Sequence, residues 1–367
     1  YKRKNNLSQM KIYKIIGLMS GTSLDGLDLA YCHIWEKKGI WEFEIKETKS
    51  VGYSSEMMNT LKNAIDLSAE KLIELHNTYG TWLGEQALNF IIDNKLEVDF
   101  IASHGHTTHH RPEMGLTFQV GSGQHLANVS GIRVIADFRT NDIALGGQGA
   151  PLVPIGDRIF FNEYDYCLNL GGISNISFDV KDKRIAYDIG LANMILNYIT
   201  RKVDLEYDED GNLARSGQVN AEMLKELNGL QYYLLPHPKS IGYEWFLAEV
   251  VPIVENTDDS IENLLHTSIH HICDKIAQQI QLNFKHNKQQ LLVTGGGALN
   301  SFLIETLQQK LGDTTKIVIP EKIIIEFKEA LVFALMGVLR SEQLTNVLSS
   351  VTGAKKDSSS GVLFIPN

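Results

Sequence analysis

Apolar residues along the chain recur with two different periods, and these divide it into strands and helices. Lys14–Met19 is a short apolar run that breaks at the turn-rich Ser20-Gly21-Thr22-Ser23-Leu24-Asp25-Gly26. Leu27–Ile34 resumes as strand and Trp41–Lys49 alternates with period two, so the three runs predict an antiparallel meander. Helical spacing follows at Ser55–Ile65 and at Ser68–Asn94, where Leu72, Leu75, Tyr79, Leu83, Ala87 and Phe90 share a face. Phe100–Ser103 and Arg133–Asp137 read as buried strands flanking a helix from about Gly123 to Val129.

The second half repeats the scheme. Tyr166–Leu170, Ile176–Val180 and Arg184–Tyr187 are strand-like, with helices at about Leu191–Arg201 and Glu222–Leu227. A long helix at about Ser260–His286 precedes a strand at Leu291–Val293, a helix at Asn300–Lys310, a strand at Lys316–Ile319 and a helix at Phe327–Arg340. Two passes of antiparallel strands with a glycine turn, then strand–helix units, predict a duplicated α/β architecture with a cleft between two lobes.

Composition narrows the function classes. The chain is 43% hydrophobic and 21% charged without a low-complexity tract, which fits folded domains. No stretch reaches the roughly eighteen apolar residues of a membrane helix, and the basic start Tyr1–Asn6 leads into Leu7-Ser8-Gln9 rather than a signal-like apolar run. Residues 1–9 are expected to be an upstream extension. A net charge of −10 argues against a nucleic-acid or anionic-membrane partner, both of which need positive fields. Cys32, Cys167 and Cys273 match no zinc or redox spacing and are expected to be inert thiols in the cytoplasm.

Three glycine turns carry candidate chemistry. Gly17–Asp28 offers backbone N–H groups and the hydroxyls of Ser20, Thr22 and Ser23 to an anion, with Asp25 and Asp28 placed to orient a magnesium-bound water. A polar hairpin turn reads equally well from that pattern alone. Asn169–Ile176 contains Gly171-Gly172 between strands, and Val293–Asn300 contains Gly295-Gly296-Gly297 at a strand-to-helix junction, a seat for an anion or a flat base. Asp188 closes a strand just before a helix and reads either as a base facing the cleft or, more commonly at such junctions, as a helix cap. Ala136–Pro151 gathers Asp137, Arg139, Asn141 and Asp142, an inventory suited either to a sugar or to an ordered loop with internal ion pairs. His104, His106, His109 and His110 lack a Cys or Glu to complete a metal set, and polar contacts near a ligand suit them better. The metal ligands are left unassigned.

These segments, in this order, resemble the anhydro-N-acetylmuramic acid kinases, within the wider hexokinase/actin/Hsp70-type ATPase superfamily. The resemblance runs from Ile16 to Phe364 and is most specific at GLMSGTSLDGLD (17–28), DIALGGQGAPLVP (142–154), LNLGGISNIS (168–177) and SVTGA (350–354). It implies an actin-like, ribonuclease H-like fold: a lobe at 10–140 on which about 345–367 packs back, and a second lobe at 141–344. It implies ATP with Mg2+, held by Gly21, Thr22, Ser23, Leu24, Asp25, Gly26, Leu27 and Asp28, by Gly171 and Gly172, and by Gly295, Gly296 and Gly297. It makes Asp188 the catalytic base that activates water to open a 1,6-anhydro bridge while the released O6 takes the γ-phosphoryl group. His104, Asp137, Arg139 and Glu329 become sugar contacts, and the assembly a homodimer.

The sequence departs from the family pattern on what would be the sugar side. Ile189, Leu191 and Ala192 replace Thr, Pro and Gly after the aspartate, and His106 stands where Gln is usual. Ile241 and Tyr243 replace Thr and Arg, and Ile325–Lys328 lacks the usual Gly-Asp-Asp before Glu329-Ala330. A kinase of the same fold acting on another sugar, or a nucleotide-binding module without catalysis, are the competing expectations.

Overall fold

The computed structural model of the chain describes residues 11–21, 24 and 26–367. Thr22, Ser23 and Asp25 of the first glycine segment, and the expected extension at 1–9, lie outside the described residues. The chain forms two compact units, one running to Phe160 and completed by Phe327–Asn367, the other Phe161–Glu326.

The first unit opens with β1 (Ile12–Ser20), β2 (Leu27–Lys37) and β3 (Ile40–Val51), the antiparallel meander expected from the apolar runs. Next come β4 (Phe100–Ser103), a separate two-stranded hairpin of β5 (His106–Arg111) and β6 (Leu116–Val120), and β7 (Val134–Ala136). Helix Ala69–Asn94 is capped by Ser68, whose side chain accepts the Lys71 N–H, and it buries Leu75, Tyr79, Leu83, Ala87 and Phe90. Those residues form one core with Ile16, Leu18, Leu29, Ile101 and Val134 of the sheet. Each such side chain removed from water contributes about 1.5–3 kcal/mol.

The second unit carries β8 (Tyr166–Leu170), β9 (Ile173–Val180), β10 (Lys183–Leu191), β11 (Gln289–Thr294) and β12 (Thr315–Val318). Helix Ile261–Leu282, capped by Ser260, packs Leu265, Ile269, Ile272 and Ile276 into its core. The chain then returns to the first unit and adds β13 (Val362–Phe364) antiparallel to β7.

The sheet orders show the duplication. The first runs β13-β7-β4-β1-β2-β3 and the second β10-β9-β8-β11-β12. Setting β13 aside, each places its first strand centrally, with two antiparallel strands on one side and two parallel strands on the other. That doubled order is the actin-like, ribonuclease H-like arrangement implied by the resemblance.

Two boundaries fall elsewhere than the expected 140/141 and 344/345, and packing explains both. Helix Pro154–Phe160 stays with the first unit because the Phe160 ring lies 4.5 Å from that of Phe43 on β3. Asp157 on it pairs with Lys328 at 2.6 Å, with both side chains buried. On the helix that carries Lys328, Lys322–Ser341, Gly337 sits so close to β4 that a Cβ would meet that of Ala102 at 2.8 Å.

Candidate active site

In the first unit, β1 and β4 are parallel neighbours, so the residues at their carboxyl ends converge. Ser20 ends β1, and its hydroxyl meets Tyr53 Oη at 2.6 Å and His106 Nδ1 at 3.0 Å, while Tyr53 Oη meets Tyr79 Oη at 2.8 Å. One direction of donation, Tyr79 to Tyr53 to Ser20 to His106 Nδ1, uses each hydroxyl proton once and leaves the imidazole proton on Nε2. Burial pushes the His106 pKa down to about 4, so the ring stays neutral. The residue that replaces the family's Gln is thus built into a hydrogen-bond relay.

His104 follows β4 and is fixed from two sides. Arg139 Nε donates to His104 Nε2 at 2.9 Å, which places the His104 proton on Nδ1, 3.0 Å from the Gly105 carbonyl. Burial, then the Arg139 charge, hold His104 well below the usual histidine range. Arg139 also donates to the Gly149 carbonyl at 2.6 Å, and burial lowers its own pKa to about 10 against the opposing pull of Glu329 and Asp142. Glu329 keeps solvent access, yet the protein mass around it raises its pKa, with Lys328 and Arg139 opposing and Asp28 reinforcing. His104, Arg139, Glu329 and Asp28 therefore form one electrostatic neighbourhood.

A cavity of about 230 Å³ in this unit is lined by His104 and Asp137, with His76, Gln119, Ser122 and Thr140 among its other walls. Arg139 and Glu329 are not part of that lining. Asp137 adopts a left-handed φ of 60°, and its carboxylate accepts the Thr140 N–H at 3.2 Å. His76 and Gln119 were not singled out from the sequence. The signal was there in His76, a polar residue inside the apolar stripe Leu72, Leu75, Tyr79; its Nδ1 is buried without a hydrogen-bond partner among the described residues.

The remaining histidines of the cluster point to separate partners. His109 Nδ1 lies 3.3 Å from Thr108 Oγ1 and His110 Nδ1 3.1 Å from Thr117 Oγ1. Asp142, in the most specific of the resemblance strings, is fully buried and accepts the Gly149 N–H and the Thr352 hydroxyl, each at 2.7 Å. It staples the 142–154 loop to the 350–354 string. That is the ordered-loop reading rather than the sugar-contact one.

In the second unit, Asp188 lies within β10, not at a strand end, and the helix Asn193–Thr200 has Ala192 as its N-cap residue with no side-chain cap. The helix-cap reading of Asp188 is thereby removed. β10 shifts register between Asp188 and Gly190, so Asp188, still paired with Asn175 of β9, is the last residue before a bulge. One backbone donor, the Ile241 N–H at 3.2 Å, reaches its Oδ2. Burial raises the Asp188 pKa to about 6, opposed by that single N–H.

The two glycine turns of this unit differ. Gly295 has φ 80°, and a Cβ there would meet Asn169 Oδ1 at 2.5 Å and Leu170 O at 2.8 Å; at Gly297 it would meet Leu170 Cβ at 2.7 Å. Gly296 has room, its nearest neighbour being Asn193 Nδ2 at 3.7 Å. The three do not open an α-helix as expected. A 3-10 turn, Gly296–Leu299, intervenes, and Asn300 caps helix Ser301–Leu311 through the Leu303 N–H. Gly171 and Gly172 also have room, at 3.4 Å from Asn169 Nδ2 and 3.6 Å from Met194 Cε. Their carbonyls accept the N–H groups of Asn193 and Met194, which seats the hairpin turn on the helix start.

Several departures from the family pattern serve packing. Ile189 and Leu191 are core residues, and Ile241 contributes a backbone N–H that any residue but proline supplies. Ile325 and Phe327 are buried, Lys328 pairs with Asp157, and Tyr243 is exposed. The three cysteines are buried, and burial drives the Cys32 and Cys273 thiols far above the ordinary range. Among the described residues no helix is long and apolar enough to cross a membrane, and no three His, Cys, Asp or Glu side chains gather as a metal site.

Comparison with known proteins adds independent findings. Residues 13–366 match the family described as "Anhydro-N-acetylmuramic acid kinase". The chain is 34% identical to the anhydro-N-acetylmuramic acid kinase of Sulfurimonas denitrificans, over 95% of this chain and 98% of that one. It is 36% identical to that of Aliivibrio fischeri, over 96% and 100% respectively. Among solved structures, an activator of the 2-hydroxyisocaproyl-CoA dehydratase from Clostridium difficile aligns over 89% of this chain and 93% of its own with TM-score 0.42 and 13% identity.

Proposed function

The chain belongs to the anhydro-N-acetylmuramic acid kinase family, and from that premise we propose that it couples two steps on one sugar. Water opens the 1,6-anhydro bridge of 1,6-anhydro-N-acetylmuramic acid at C1, and the freed O6 takes the γ-phosphoryl group of ATP. The products are N-acetylmuramic acid 6-phosphate and ADP, a cell-wall recycling reaction.

The observation that carries the reading is Asp188: a carboxylate beside a strand bulge, with no capping role, one backbone N–H on its oxygens and a pKa raised to about 6. Such a group is ionised at neutral pH and basic enough to accept a proton from water as the C1–O bond breaks. Gly171 and Gly172, free of side-chain obstruction, suit backbone contact with phosphate oxygens. His104 and Asp137, facing the first unit's cavity, offer polar groups to the sugar. Arg139, held by His104 and Gly149, has a fixed guanidinium to set against developing negative charge.

Magnesium fits this chain as a companion of the nucleotide, not as a resident ion. The Asp28 carboxylate raises the proton affinity of Glu329, which a cation would relieve, and magnesium is commonly held by one or two carboxylates plus phosphates. When bound, it supplies neutralisation of phosphate charge. The cytoplasm and a homodimer complete the proposal, supported by the resemblance, the buried thiols and an acidic net charge.

The test is ADP release with a panel of muropeptide-derived sugars. Release that depends on the 1,6-anhydro sugar supports the proposal. Release driven by a different sugar redirects the substrate, and slow sugar-independent turnover rejects kinase action. Light scattering reads the homodimer.

A further inference from the structure

We propose that Tyr232 is a positioning residue for Asp188, acting through the Asp188 peptide rather than its carboxylate; the inference rests on Asp188 being the base. β10 is an edge strand of its sheet and its bulge follows directly after the Asp188–Asn175 pair, so the Asp188 backbone groups need partners beyond β9, and one segment supplies them. Tyr232 Oη donates to the Asp188 carbonyl at 2.6 Å. The Asp188 N–H donates to the Lys239 carbonyl at 3.2 Å, and the Ile241 N–H reaches Asp188 Oδ2 at 3.2 Å. All three ties come from residues 232–241, so the candidate base is held on both sides of its peptide and at its carboxylate by a single strap.

Tyr232 is the strap's anchor. It is buried, its ring lies edge-on to Tyr233 at 5.7 Å and tilted against Trp245 at 5.4 Å, and the Lys239 ammonium sits 4.5 Å over its face. Lys239 Nζ also donates to the Tyr232 carbonyl at 3.3 Å, closing the strap on itself. Burial raises the Tyr232 pKa far above its ordinary value, with Asp188 reinforcing, so its hydroxyl remains a donor. His237 stacks on Tyr187, the neighbour of Asp188 in β10, at 5.1 Å and 9°. Nothing in the glycine motifs points to this segment, because its contribution to Asp188 is one hydroxyl and two backbone groups.

Loosening the strap moves the carboxylate and lets water reach it. The titratable and charged groups packed around Asp188 are Tyr187, Tyr232, Tyr233, His237 and Lys239, but burial is the larger cause of its raised pKa and the Ile241 N–H the smaller, opposing one. Wetting therefore shifts the pKa down. Small misplacements of a reacting group cost up to about a hundredfold in rate.

The experiment compares wild type, Tyr232→Phe and Asp188→Asn. Tyr232→Phe keeps the ring and removes only the hydroxyl. Expected are a kcat lower by about tenfold or more, an unchanged KM for ATP, an acid limb of the pH–rate profile moved below pH 6, and faster hydrogen exchange at the Asp188 amide. Lys239→Met, which unties the strap from Tyr232 at its other end, should act in the same direction more weakly. Folded Tyr232→Phe with wild-type kcat, acid limb and Asp188 amide protection overturns the inference. Should Asp188→Asn retain turnover, the base reading has failed instead, and Asp188 amide exchange in Tyr232→Phe alone decides whether the strap holds the peptide.

Discussion

Asp142 and Asp188 are two aspartates whose carboxylates the protein occupies to different extents. Asp142 has no exposed surface and both carboxylate oxygens accept a hydrogen bond, from Gly149 and from Thr352. Asp188 is half-buried, with one backbone N–H on one oxygen. The first has its bonding capacity used up by the protein, as a structural staple must. The second has capacity left over, and a pKa raised to about 6 by burial. Unused bonding capacity, rather than burial or motif specificity, marks the residue available for chemistry.

The largest expected effect tests that contrast at Asp188. Asp188→Asn preserves size and the Ile241 contact but cannot accept a proton. Turnover should fall about a hundred- to ten-thousand-fold, roughly 3–5 kcal/mol of barrier, while the melting temperature holds or rises. A folded Asp188→Asn enzyme with near-wild-type turnover would falsify the catalytic role.

Asp142→Ala should do the reverse. It strands the Gly149 N–H and leaves the Thr352 hydroxyl only the Leu348 carbonyl at 3.4 Å, for about 2–4 kcal/mol of stability, measured by urea denaturation. Turnover per folded molecule should stay within a few-fold of wild type. Loss of turnover without loss of stability would mean that the two aspartates do not differ in kind.

Glycines repeat the contrast in backbone form. Gly295→Ala forces a side chain onto a φ of 80° and into Asn169 and Leu170, and should cost about 1–3 kcal/mol of stability. Gly172→Ala, with 3.6 Å to the nearest atom, should melt like wild type and lower ATP affinity by calorimetry. Equal destabilisation by both would show that the space at Gly172 is not real in solution.

Most of the fold was legible because hydrophobic period reports burial, and burial made the sheets. Phe100–Ser103 and Tyr166–Leu170 were read to the residue, and the long helix starting after Ser260 was placed by its apolar face. The hairpin His106–Arg111 with Leu116–Val120 was missed because the run of five histidines and threonines at 106–110 masks its alternation. Asp188 was read as a strand terminus because its strand bulges, and a bulge breaks the period that betrays a strand. Ile241, at one end of the strap, stood out as a departure, but Tyr232 was invisible for a different reason. Backbone carbonyls and N–H groups carry no sequence identity, so a residue that acts on them leaves no motif.

The smallest predicted effect is also the most direct reading of Asp188. With a folded-state pKa of about 6, the proposed base is ionised above pH 6 and protonated below it. The sugar-dependent rate should therefore rise with pH to a plateau above about 6 and fall about tenfold per unit below it. Stability moves in the opposite sense. Unfolded, the carboxyl titrates at its ordinary value of 3.8, so between 3.8 and about 6 the folded state holds the proton that the unfolded state has released. Stability from this group is then full below 3.8, is lost as pH rises through that window, and stays lost above it. Asn carries no charge to desolvate. Asp188→Asn should thus melt higher than wild type at pH 8, by a margin that shrinks to nothing below about pH 4. Calorimetric scans of both proteins across that range read the margin directly. A margin independent of pH would show that Asp188 ionises as easily in the folded chain as in the unfolded one, and the case for its being the poised base would go with it.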